Sequence, residues 1–273
     1  MTHRRPSRLP EGHLLARISR KPFTLHSGPV LTPGHRSSAL RNPPLRLAGL
    51  GALVLLALTT CTPAPVESPV RAPALPSRAV PGAAHYRVVQ EGTLVYARVF
   101  RGGSLERLGH NHVIELRGLR GDIFLADDVG RSLFDLAVSP ADAVVDPPAL
   151  RATQGGDFDT TVSEEARTAT RRNMLGPDVL HAGKFPYVTI SSSRVEGPLA
   201  NARVTVDITL KGVTRRLTIP VSIRVEGGRL AAKGRFDILQ SDFGVQPYSV
   251  LGGALKVKDK VGLVFNVAAE KVP

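Results

Sequence analysis

The chain has 273 residues, with 36 Lys/Arg against 23 Asp/Glu for a formal charge of +13, one cysteine and no tryptophan. Residues 1–60 hold nine of the bases and one acid, a surplus of 9 − 1 = 8, which leaves 27 − 22 = 5 for everything downstream. The basicity therefore belongs to the leader, no aromatic-laced basic stripe follows it, and a nucleic-acid partner is set aside. With Cys61 alone, an internal disulfide and a thiolate-based structural zinc site are also set aside.

Residues 1–46 are basic, rich in Pro and Gly, and without a period; they read as a disordered leader. One reading starts translation later, at a non-ATG codon near Val30 or Leu31. Residues 47–60 begin with an apolar run, Leu47 to Leu58, preceded by Arg41 and Arg46. A run of about twelve residues is too short for a spanning helix, which takes ~20, and fits the core of a secretory signal. It ends in Leu58-Thr59-Thr60-Cys61, which resembles a bacterial lipobox, with Thr60 where a smaller residue is usual. Cys61 is thus expected to carry lipid; ordinary secretion with a free thiol is the alternative. Residues 61–84 contain six prolines between Pro63 and Pro81 and read as an extended tether. One domain is expected over 85–273.

From Tyr86 the pattern is that of strands. Tyr86–Gln90 and Thr93–Phe100 suggest a hairpin around Glu91-Gly92. His110–Leu116 reads as a strand with His110, His112, Ile114 and Leu116 on one face. Ser132–Val138 follows. Between the strands, Ser163-Glu164-Glu165 opens a helix that runs to Leu175, with a capping serine and early acids. A short turn over Asp178–Ala182 comes next. Arg203–Val225 gives the clearest pattern: Val204, Val206, Ile208 and Leu210 alternate with polar residues, then Leu217, Ile219, Val221, Ile223 and Val225 do so beyond a turn at Lys211-Gly212-Val213. Leu230–Ile238, Lys256–Val257 and Val261–Ala269 complete the set. Many short strands with turn residues between them, and no βαβ alternation, indicate an antiparallel sandwich or barrel.

The chemistry-bearing residues are few. His110 and His112 could ligate a metal from one strand face, with His181, Asp178 or Asp242 as a third ligand; they could equally be structural, or a polar spot lining a ligand cavity. No nucleophile elbow or phosphate loop occurs. Arg171 and Arg172 read as a solvated helix face. In Ser241-Asp242-Phe243-Gly244, Phe243 is expected to plug one barrel end and Asp242 to fix the turn.

The ordered segments Leu108–Ile114, Asn173–Leu175, Lys184–Ile190, Leu210–Arg215, Ser241–Val245 and Lys260–Ala268 together resemble the YceI-like family. The resemblance implies an all-β, eight-stranded antiparallel up-and-down lipocalin-like barrel with one short helix near the mouth. It implies a long isoprenoid or similar amphiphile in the interior and a periplasmic or cell-envelope setting, which the lipidated, membrane-held N-terminus would suit. At Asn173-Met174-Leu175-Gly176 many relatives carry an acidic residue and a His, so a head-group contact does not transfer there.

The expectation is a non-catalytic, extracytoplasmic lipid-binding or carrier protein, with no cofactor other than a bound polyisoprenoid or similar lipid. Its inward, ligand-binding residues are expected to be His110, His112, Ile114, Leu116, Val206, Ile208, Leu210, Leu217, Ile219, Phe236 and Phe265. The alternatives are a metal-dependent enzyme built on His110 and His112, and a ligand-free envelope stress or scaffold protein. A homodimer stays open.

Overall fold

A computed structural model describes residue 75 and residues 78–273; the leader, the apolar run, Cys61 and the first part of the tether lie outside the described residues. In chain order the strands are β1 (Ala84–Gly102), β2 (His112–Glu115), β3 (Arg120–Leu125), β4 (Leu133–Val138), β5 (Val144–Val145), β6 (Val188–Glu196), β7 (Ala202–Leu210), β8 (Val213–Glu226), β9 (Arg229–Leu239), β10 (Ser249–Val250) and β11 (Leu255–Lys271). Two α-helices join them, α1 (Pro148–Ala152) and α2 (Glu164–Leu175).

Hydrogen bonding runs β1-β3-β4-β6-β7-β8-β9-β11 and returns to β1, antiparallel at every step. Eight strands therefore close an up-and-down barrel, which removes the unpaired edges an open sheet would leave. β2 lies beside the second half of β1 and carries β5 on its other edge. At eight strands the lumen is wide enough for side chains or one slender guest.

The β7–β8 hairpin follows its sequence closely. Val204, Val206 and Ile208 are buried inward while Arg203, Thr205, Asp207 and Thr209 stay outward. Outside, the cross-strand pairs are Thr205–Thr218, Thr209–Thr214 and a two-point Arg216–Asp207 contact at 2.8 and 2.7 Å. The turn places Lys211 at φ 51° and Gly212 at φ 77°, the two positive values that a tight type I′ hairpin requires. A Cβ on Gly212 would lie 2.7 Å from the Phe185 ring, so the glycine serves both the turn and the packing.

The first strand departs from expectation. There is no hairpin at Glu91-Gly92: β1 is continuous for 19 residues and absorbs those positions as an irregularity between Val89 and Leu94 in its pairing with β11. The Thr93 hydroxyl fastens the bend by donating to the Val89 carbonyl at 2.6 Å and accepting from the Ala268 N–H at 3.0 Å. The last strand is likewise continuous, joining the two pieces expected at 256–257 and 261–269. The described barrel begins at Ala84, and the residues just before it are held too. Arg78 donates to both carboxylate oxygens of buried Asp135, at 2.9 and 2.8 Å, and to the Phe134 and Ser192 carbonyls.

Helix α2 forms as its sequence indicates. The Ser163 hydroxyl accepts from the Ala166 N–H, Glu164 and Glu165 occupy the first turn, and Arg172 the last. Arg171 is not a solvated residue: its guanidinium donates to the Ala141 and Ala143 carbonyls and pins the helix beside β5. Among the described residues α2 is the one helix of seven residues or more. It stands at the barrel end where β1 and β7 finish and β8 starts. Phe243, 1% exposed, packs at this end with Val179, Val245 and the β7 valines. The turn around it is held by Asp259 rather than Asp242: Asp259 accepts from the Ser241 N–H at 2.8 Å and from the Ser241 hydroxyl at 2.5 Å. Tyr86, Leu230 and Ala269 pack together at the opposite end.

Candidate functional site

The barrel encloses a cavity of about 470 Å³. Its wall is built by alternation. Val95, Ala97 and Val99 come from β1, Val204, Val206 and Ile208 from β7, Ala232, Phe236 and Ile238 from β9, and Val261, Leu263, Phe265 and Val267 from β11. Gly234 sits on the inward face of β9 opposite Phe265, and a Cβ there would lie 2.5 Å from that ring and 2.6 Å from the Pro220 carbonyl. The missing side chain lets the Phe265 ring lie flat across the wall, where it meets Phe236 edge-on at 6.3 Å.

Polar groups gather towards the α2 end. His110, His112 and Arg101 line the cavity there with Thr170 and Asn173 of α2, and Gln240, Tyr248 and Lys256 add to the rim. Thr170, Asn173 and Met174 share a helix face by their three- and four-residue spacing. Strand β2 is shorter than expected, starting at His112, with His110 in the preceding loop. Both rings still reach the cavity and stand 6.3 Å apart, edge to face.

Behind His112 lies a buried ionic cluster that the sequence did not reveal. Its Nδ1 is 2.6 Å from Asp146 Oδ2. The other oxygen, Asp146 Oδ1, accepts from the Val113 N–H at 2.8 Å and from Arg151 at 2.7 Å. Arg151 also donates to the Asn111 carbonyl and to the carbonyl and hydroxyl of Thr160. The Asp146 side chain is fully buried and that of Arg151 nearly so. Asp146 holds φ 48°, an uncommon backbone state that Asp tolerates better than most residues. Burial pushes the Asp146 carboxyl up, but the bonds from His112 and the Val113 N–H and the charges of His112 and Arg151 outweigh it, so it is held below the usual carboxylate range. His112 is thereby fixed in orientation, with its Nε2 3.5 Å from the Thr170 hydroxyl.

Burial, then the neighbouring charges of His112, Arg151 and Arg101, lower the His110 pKa, with Asp146 opposing them. Among the described residues its buried Nδ1 finds no hydrogen-bond partner. This is an electrostatically positive end on an otherwise apolar tube.

Of the residues expected to face inward, His110, His112, Ile114, Leu116, Val206, Ile208, Leu210, Ile219, Phe236 and Phe265 line the cavity. Leu217 is not among the lining residues, although its cross-strand partner Val206 is; it packs into the core cluster that contains Phe243. The metal alternative gains no third ligand. Among the described residues no group of three or more His, Cys, Asp or Glu is placed to hold an ion, and neither His181, Asp178 nor Asp242 joins the histidine pair. Sequence reasoning also missed Arg101, Thr170 and Asn173. Asp146 was findable only as an acid in the apolar stretch Val144-Val145-Asp146-Pro147.

A family model described as the YceI-like domain matches residues 138–269, from the end of β4 through most of β11. The crystal structure of Burkholderia cenocepacia BcnA is similar, with a TM-score of 0.50 and 16% identity over 66% of this chain and 98% of that one. A polyisoprenoid binding domain from Saccharophagus degradans, implicated in plant cell wall breakdown, gives a TM-score of 0.47 and 10% identity, covering 70% of this chain and 99% of its own. The Campylobacter jejuni YCEI protein gives 0.42 and 14%, covering 59% and 85%. No curated protein matches. At 16% identity the likeness to BcnA is one of fold. The family match and the closed eight-stranded antiparallel barrel agree: residues 138–269 match the YceI-like domain, and the barrel has the fold of the similar solved structures.

Proposed function

We propose that the barrel binds one long-chain amphiphile, of the polyisoprenoid type, with its hydrocarbon tail along the lumen and its polar end at the His110–His112–Arg101 mouth, as a carrier and without catalysis. The observation that carries this reading is the cavity itself: about 470 Å³, lined mainly by apolar side chains, with most of its polar groups gathered at one end. Ligand pockets run from about 300 to 1,000 Å³, so the volume is sufficient for a guest. β7 has nine residues, or about 30 Å of strand at ~3.3 Å each, and a tilt of roughly 40° makes the lumen about 23 Å tall. A linear chain fits that shape better than a compact one. Ten buried methylenes at ~0.8 kcal/mol each contribute about 8 kcal/mol before the cost of association. An extracytoplasmic setting and an acylated Cys61 complete the proposal, with the tether holding the barrel near the membrane from which a lipid would come.

The test is titration of the full chain with diphenylhexatriene, a linear apolar fluorophore, followed by competition with a polyprenol and with a C16 alcohol. Saturable enhancement, displaced by both competitors, is expected. Ala97→Phe and Ala232→Phe, which place rings in the lumen, should abolish it while the fold is retained. Binding unaffected by both rings would put the guest elsewhere and refute the reading.

A further inference from the structure

The cavity's polar end is bordered by two loops that hold leucines in water. Leu108 and Leu251 are 69% and 67% exposed, more than any other large hydrophobic among the described residues, and Leu105 joins them at 38%. The loops are fastened together. The Leu105 N–H donates to the Ala254 carbonyl at 2.8 Å, and Gly103 packs so closely that a Cβ would lie 2.3 Å from that same oxygen. Leu251 also stands at φ 52°, where a leucine pays a steric penalty that a glycine would avoid. Exposure and backbone strain both oppose this arrangement in the isolated chain.

Exposed Arg107 stands between Leu105 and Leu108, and exposed Lys256 and Lys258 follow Leu251 in the chain. Exposed Glu106 and Asp242 are acids in the same segments, and Asp157, whose carbonyl accepts from Asn111, is a further acid near the mouth. The Lys256 and Lys258 stems lie side by side over Gly102, the last residue of β1 before the first loop. Asp259 keeps its charge but is turned onto the Ser241 N–H and hydroxyl. Tyr248, Val250, Leu255 and Lys256 belong at once to this rim and to the cavity wall. Apolar tips flanked by basic residues are the chemistry of an interfacial membrane contact, with anionic head groups meeting the cations.

We propose that Leu105, Leu108 and Leu251 insert into the interface of an anionic bilayer, with Arg107, Lys256 and Lys258 on its head groups, so that the cavity opens directly onto the lipid. This rests on the lipid-binding reading above. A guest can then pass between bilayer and lumen without its tail crossing water.

The chain has no tryptophan, so Leu251→Trp and Leu108→Trp each create a single reporter in the full chain. Val225→Trp, also at an exposed position but at the other end of β8, is the control. Each is mixed with phosphatidylglycerol–phosphatidylcholine vesicles whose acyl chains are brominated. Tryptophan quenching, rather than vesicle association, is read, so the apolar run of residues 47–58 contributes alike to every variant. The rim variants should shift to the blue and be quenched, and the control should not. Adding Lys256→Glu and Lys258→Glu should raise the lipid needed for half-maximal quenching by at least about tenfold. Equal quenching of rim and control, no quenching, or a blue shift without vesicles accompanied by dimerisation would each overturn the proposal. Diphenylhexatriene uptake by the same samples separates the two claims: uptake without quenching removes the docking surface alone, and loss of uptake removes the lipid-binding reading.

Discussion

Replacing Asp146 is the sharpest perturbation that the structure offers. Its carboxylate accepts from His112 Nδ1 at 2.6 Å, Arg151 at 2.7 Å and the Val113 N–H at 2.8 Å, and no part of it meets solvent. Asp146→Ala leaves the Arg151 guanidinium buried with only neutral partners, the carbonyls of Asn111 and Thr160 and the Thr160 hydroxyl. Breaking a buried pair typically costs about 3–5 kcal/mol. The three neutral partners that remain place this case near 3 kcal/mol. At roughly 2–4 °C per kcal/mol for a domain of this size, Tm falls by about 6–12 °C. Asp146→Asn keeps the volume and the tolerance of positive φ while losing the charge, so it should fall between wild type and alanine. Thermal unfolding followed by circular dichroism measures both. Adding Arg151→Met to Asp146→Ala should cost less than the sum of the single changes, because the stranded cation is gone. A loss under about 1 kcal/mol for Asp146→Ala, or strict additivity, would refute the buried cluster. Diphenylhexatriene binding should survive in every folded variant, since the tail contacts lie elsewhere.

Acid should weaken the barrel by two routes. The Asp146 carboxyl is held below its usual range, so its contribution is complete above about pH 4 and is lost as pH falls through the folded value. His110 has a lowered pKa, so the unfolded chain takes up its proton first, and stability falls as pH drops below about 6.5. His110→Gln should flatten the stability profile between pH 6.5 and 5 while leaving the more acidic limb, and urea midpoints across that range test it. Gly234→Ala should destabilise by about 1–3 kcal/mol, because the Pro220 carbonyl, at 2.6 Å from the new Cβ, belongs to the backbone and cannot swing away. Lys211→Asn should stabilise by a few tenths of a kcal/mol up to about 1, since the position holds φ 51° and Asn suits it better than Lys; an unchanged midpoint would speak against a strained turn.

The β7–β8 hairpin was legible because one face is buried and the other wet, which writes the strand period directly into the sequence. β1 was not. Its outward residues Phe100 and Arg98 are covered by Phe158, with Arg98 over both rings, so apolar residues occupy both faces and the alternation is lost. The Glu91-Gly92 pair looked like a turn, whereas the long strand uses it to bend. Most of the cavity wall could be assigned because inwardness follows from parity. Leu217 has the same parity, opposite Val206, but packs into the cluster with Phe243 instead of lining the cavity, because parity says which face a residue takes and not which neighbours cover it there. The histidine pair was visible, but its meaning came from Asp146 and Arg151, which lie 34 and 39 residues beyond His112 in segments with no period of their own.

The central claim is that the lumen carries a lipid tail. Native mass spectrometry of the full chain, purified from an expressing cell without detergent, addresses it most directly. The account predicts a population heavier than the polypeptide by the mass of one long-chain amphiphile, released by organic extraction and absent from Ala97→Phe and Ala232→Phe. A protein that is uniformly empty and takes up no polyprenol on incubation, or an adduct that persists in both lumen-filled variants, would contradict it.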